Sequence, residues 1–79
     1  MSNRRPGLTT ADKAEVLFAS PLQPSDEPTS KQVRSAILHT LRANGGVKGC
    51  VSLVAAEFGE HPETACRRMQ WALGLIKAA

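Results

Sequence analysis

Residues 54–69 read VAAEFGEHPETACRRM, and where this stretch divides decides the fold. On its upstream side Cys50, Val51, Val54, Ala55 and Phe58 recur at helical intervals, and Gly59 is placed to stop the helix they define. On its downstream side His61 and Pro62 reopen a helix, because proline is tolerated in the first turn and Glu63 suits the positive end of the helix dipole. The spacing predicts one helix from Val47 to Phe58, a turn at the glycine, and a last helix from Pro62 to Lys77.

Moving toward the N-terminus, Asn44, Gly45 and Gly46 should end a preceding helix through a left-handed cap. That helix opens on a T-x-x-Q capping box, Thr29 to Gln32, and its apolar face carries Val33, Ala36, Ile37, Thr40 and Leu41. The stretch 20–28, SPLQPSDEP, holds three prolines that deny helical continuity, and it forms an ordered connector if Leu22 docks on the core. Thr9 and Thr10 offer a hydroxyl cap, with Asp12 in the first turn, for a short first helix from Ala11 to Ala19. The expected architecture is an all-α bundle of four short helices, the last two forming a helix-turn-helix-like hairpin. Residues 1–8 form a flexible tail able to touch an acidic partner through Arg4 and Arg5, and residues 9–79 a single helical domain.

Composition sets bounds on function. A chain of 79 residues has little room for a deep catalytic cleft, and its 4% aromatic content suits a core of Ala, Leu, Val and Ile. A net charge of +3 permits contact with phosphates without requiring it. No continuous apolar run long enough to span a membrane exists, and two cysteines are too few for a disulfide-built miniprotein, so the expectation is a cytoplasmic protein with reduced thiols. His39, Cys50, His61 and Cys66 lack the paired spacing of zinc ligands, Cys50 and Cys66 fall on predicted core faces, and Gly45, Gly46 and Gly49 read as a helix stop and not as a phosphate loop. No catalytic residue, metal, cofactor, small-molecule substrate or membrane partner is expected.

The segment Val51 to Leu73 resembles the helix-turn-helix DNA-binding superfamily. Ala55 matches the small residue where the two helices cross, Gly59 the turn glycine, and Val54 and Phe58 the buried positions around them. It departs from that pattern at Glu60, where the family has an apolar residue, and at Cys66 and Met69, which fall one place late. The whole chain is also similar to short uncharacterised actinobacterial proteins, a likeness that implies no particular activity. The helix-turn-helix resemblance implies a small regulatory protein whose last helix enters the major groove and presents Glu63, Thr64, Arg67 and Arg68, with the arginines reading guanine, in a dimer because so small a module buries little interface. Glu57, Glu60 and Glu63 around the same turn would repel a phosphate backbone.

Two further surfaces suit a protein partner. Opposite the apolar face of the second helix, Lys31, Arg34 and Arg42 form a basic stripe with no acidic residue on that helix, Lys48 extends it, and Leu38 within it points to a protein contact. On the last helix, Pro62, Ala65, Cys66, Met69, Leu73 and Ile76 share one face, and Trp71 and Leu75 lie away from it. Either that second face is covered by the first helix and the connector, making the last helix central to the core, or it is an exposed anchor for another protein.

Overall fold

Two threonines open the first two helices by the same device. The Thr9 hydroxyl accepts from the Asp12 N–H at 3.0 Å while the Asp12 carboxylate accepts from the Thr9 N–H at 3.1 Å, and α1 runs Thr10–Ala19. Thr29 and Gln32 repeat this exchange at 3.1 and 2.8 Å ahead of α2, Ser30–Ala43. Each box satisfies two backbone donors that a helix start otherwise leaves unpaired. The computed structural model describes residues 7–78; beyond α1 and α2 it contains α3, Val47–Glu60, and α4, Pro62–Ala78, with a single 3₁₀ turn at Pro24–Asp26 in the connector. The arginines of the expected tail lie outside the described residues, whereas Leu8 packs against the core and belongs to the domain.

The stop at the end of α2 follows the sequence. Gly45 and Gly46 take φ of 74° and 88°, and the Gly46 N–H reaches back to the Leu41 carbonyl at 2.7 Å, the long bond of a Schellman cap. Gly49 does something else. It sits inside the first turn of α3 at an ordinary φ, and a Cβ there would run into the backbone carbonyl of Asn44. Its role is close approach between α3 and the turn, and it is not part of the helix stop.

The core is organised around α1, the shortest of the four helices. Ala14, Val16 and Leu17 are fully buried and Phe18 nearly so, because α2, α3 and α4 all pack on it. The expectation of a central last helix is corrected: α4 buries one stripe, whereas the second half of α1 buries Ala14, Val16, Leu17 and Phe18 on several sides and touches all three other helices. Val33 and Ile37 of α2, Cys50 of α3 and Ala72 of α4 complete the main cluster, and Leu22 docks the connector on it. A second cluster joins Phe18, Val54 and Ala65, with the Phe58 ring stacked on Phe18 at 6.0 Å between centroids.

α4 begins at Pro62 as expected, but α3 ends later than its sequence suggests. Gly59 lies within α3 without a positive φ, and the break falls on His61 alone. The His61 N–H donates to the Glu57 carbonyl at 2.7 Å and its own carbonyl accepts from Ala65 at 2.8 Å, so the two helices meet almost end to end. Pro62 is the cause: its ring disfavours helical backbone at the preceding residue, and it supplies no N–H to continue α3. Ala55, assigned to the helix crossing by resemblance, faces solvent, and the small residue in the α1–α3–α4 junction is Ala65.

Candidate functional site

The residues at the front of α4 are divided by the fold. Arg68 points inward: its Nε donates to the Phe18 carbonyl at 2.8 Å, and its Nη2 donates to the carbonyls of Ser20 at 2.9 Å and Leu22 at 2.8 Å. Its guanidinium also lies 4.8 Å from the Trp71 ring centroid and 5.6 Å from that of Phe18. No basic residue occupies the last turn of α1, so Arg68 brings from α4 the cation that the C-terminal end of that helix favours. Burial pulls its pKa down from the ordinary value, and the carbonyls are what compensate the charge. Arg68, placed on a DNA-reading face by resemblance, is held by main-chain carbonyls, and its side chain fastens α4 to α1 and to the connector. Thr64 and Arg67 remain exposed and line a shallow depression with Gln23, Pro24 and the half-buried Arg68.

The second face of α4 is largely covered. Trp71 and Leu75 are half-buried and pack against the main core cluster, with Arg68 laid over the indole. As an anchor they offer only their edges. Cys66, placed on a core face by its spacing, is exposed, and the Gln70 amide approaches its sulfur at 3.9 Å. The buried stripe of α4 is rotated toward Arg68, Trp71, Ala72 and Leu75, because α1 lies on that side. Cys50 is fully buried, and burial, with Glu15 as a second cause, pushes its thiol pKa up, which makes it a poor nucleophile at neutral pH.

The basic stripe on α2 borders an apolar groove. A groove of about 420 Å³ is lined by Lys13 of α1, Ser30, Val33, Arg34, Ile37 and Leu38 of α2, and Ile76 of α4. Its floor is apolar and its charged lining residues are both cations. Leu38, 57% exposed, is the most exposed large apolar side chain of the described residues. On the same helix Lys31 is exposed one turn before Arg34 and Arg42 one turn after Leu38, while Lys48 stands on α3; none of the three lines the groove. Lys13 and Ile76 were not among the sequence candidates, since they reach this surface only through the packing of α1 and α4 beside α2.

Among the described residues, no three His, Cys, Asp or Glu side chains come together to hold a metal ion, and no helix is long and apolar enough to cross a membrane. A scan against protein-family models, a search of curated proteins and a search of solved structures return no match. The functional reading accordingly rests on geometry.

Proposed function

We propose that this chain is a non-enzymatic binding module that docks an acidic, amphipathic segment of a partner protein in the groove between α1, α2 and the end of α4. The observation that carries the reading is the composition of the groove: an apolar floor of Val33, Ile37 and Ile76, an exposed Leu38, and a rim of Lys13 and Arg34. Apolar side chains of the partner would fill the floor and supply affinity, while its carboxylates would meet the two cations and set register and encounter rate. An apolar residue as exposed as Leu38 in the middle of a cationic stripe fits a protein better than a phosphate backbone, which offers nothing to bury it against.

The second reading is a DNA-binding regulatory protein, favoured by the exposed Thr64 and Arg67 at the front of α4. With Arg68 turned inward and Glu60 and Glu63 exposed beside them, that face keeps one arginine against two carboxylates. A polarisation titration separates the two. A fluorescent helical peptide with Leu at i and i+4 and Glu between should bind saturably and lose at least tenfold in affinity to Leu38→Asp or Arg34→Glu. A random-sequence duplex at low salt should not bind saturably. Duplex binding with a steep salt dependence, together with no peptide binding, would overturn the proposal.

A further inference from the structure

Two arginines of α4 line one depression, and no carboxylate shares it. The depression, of about 270 Å³, lies between the connector, which supplies Gln23 and Pro24, and the front of α4, which supplies Thr64, Arg67 and Arg68. Thr64 stands three residues before Arg67 and four before Arg68, so on the helix surface it falls between them, and helical side chains lean toward the N-terminus, which tilts both arginines toward it. The neighbouring acidic residues Asp26 and Glu63 do not line the depression, and the Asp26 carboxylate is engaged by the Gln23 N–H at 2.8 Å.

Arg68 gives this depression a fixed cation. Its three hydrogen bonds leave from Nε and Nη2. Nη1 makes none of them, and among the described residues no buried side-chain nitrogen or oxygen lacks a partner, so Nη1 is open to solvent. The guanidinium is held along one edge and offers the other, and what surrounds its charge is neutral carbonyls and aromatic rings. An anion arriving there finds one arginine already ordered and has only the exposed Arg67 to immobilise. Two guanidinium groups and a hydroxyl converging on one point suit the three acceptor oxygens of a phosphoryl group better than the two of a carboxylate. The positive end of the α4 dipole adds to the attraction.

We infer that the depression between the connector and the front of α4 is a binding site for a phosphate monoester, with Arg67 and Nη1 of Arg68 donating to the phosphoryl oxygens and the Thr64 hydroxyl donating to a third. A duplex is a different ligand: the wall of Gln23 and Pro24 leaves room for one terminal phosphoryl group, whereas a continuous phosphate backbone meets the exposed Glu60 and Glu63. The site shares no residue with the α2 groove.

Trp71 is the single tryptophan and lies 4.8 Å beneath the Arg68 guanidinium, so an anion on Nη1 changes the field at the indole. Titration of Trp71 emission at constant ionic strength should give a saturable change with inorganic phosphate and with a short phosphoserine peptide, and none with chloride or the unphosphorylated peptide. Tighter binding of the phosphoserine peptide makes a modified protein the source of the phosphoryl group, and tighter binding of inorganic phosphate makes it the free ion. Arg68→Ala would remove the clamp as well, so the test falls on exposed positions: Arg67→Gln and Thr64→Val should each weaken binding roughly tenfold with the circular dichroism spectrum unchanged, and Arg34→Gln should leave binding as it is. No saturable change with either phosphate ligand, an equal response to chloride, or binding indifferent to Arg67→Gln would overturn it.

Discussion

Replacing Arg68 tests how the fold is held together. The side chain makes three hydrogen bonds to main-chain carbonyls, two of them through one nitrogen, and covers the Trp71 ring. A hydrogen bond to a charged group contributes about 1.5–3 kcal/mol. Because Arg68 is only partly buried and two of its bonds share Nη2, the three together are worth about 2–4 kcal/mol, discounted for solvent screening. At about 0.05–0.15 kcal/mol per residue, a domain of this length has roughly 4–12 kcal/mol in all. Arg68→Ala should therefore lower Tm by about 8–32 °C, given about 4–8 °C per kcal/mol at this size. Arg68→Lys should recover less than half, since an ammonium cannot present the fork that spans Phe18, Ser20 and Leu22. Thermal unfolding followed by circular dichroism reads both, and Trp71 emission should change on losing its cation. A Tm within 2 °C of the parent for Arg68→Ala would refute the clamp and return Arg68 to the surface.

The glycines of α3 should respond in opposite directions. Gly49→Ala should destabilise the chain by more than about 2 kcal/mol, because the new methyl meets main chain that has nowhere to move, whereas Gly59→Ala should stabilise it by up to about 1 kcal/mol, since nothing lies within 4 Å of its Cβ position and the backbone there is already helical. Urea titrations at low protein concentration compare them. The thiols should separate kinetically: Cys66 should react with a disulfide reagent within seconds, and Cys50 only as fast as the chain opens. The raised Cys50 pKa sets a pH dependence. Above its ordinary value of 9.0 the unfolded chain loses that proton while the folded chain keeps it, so stability falls as pH rises, and Cys50→Ala should remove that part of the slope. Thr29→Ala should cost about 1 kcal/mol through the lost cap.

Local chemistry made most of the fold legible. Thr9, Thr29, Gly45 and Gly46 mark helix ends through bonds within a few residues of themselves, and each acts as its sequence neighbourhood implies. α4 opens at Pro62 as its sequence implies, while α3 runs past Gly59 to Glu60, because the proline imposes a steric rule whereas glycine only permits a turn. Arg68 carried a usable signal. It lies at helical spacing from Trp71, Ala72 and Leu75, so an arginine inside an apolar stripe implied a buried partner, and spacing alone gave no way to name the carbonyls of a connector more than forty residues upstream. Of the groove, Arg34 and Leu38 were visible on one helix. Lys13 and Ile76 were not, since their contribution depends on how three helices are packed.

The central claim is that the groove beside α2 is where this chain meets its partner, and amide shift mapping tests it most directly. Titrating isotope-labelled protein with the acidic amphipathic peptide should shift Lys13, Val33, Arg34, Ile37, Leu38 and Ile76 together and saturate, while Thr64, Arg67 and the outward face of α3 stay still. Shifts confined to the front of α4, or an unchanged spectrum at saturating peptide, would contradict it.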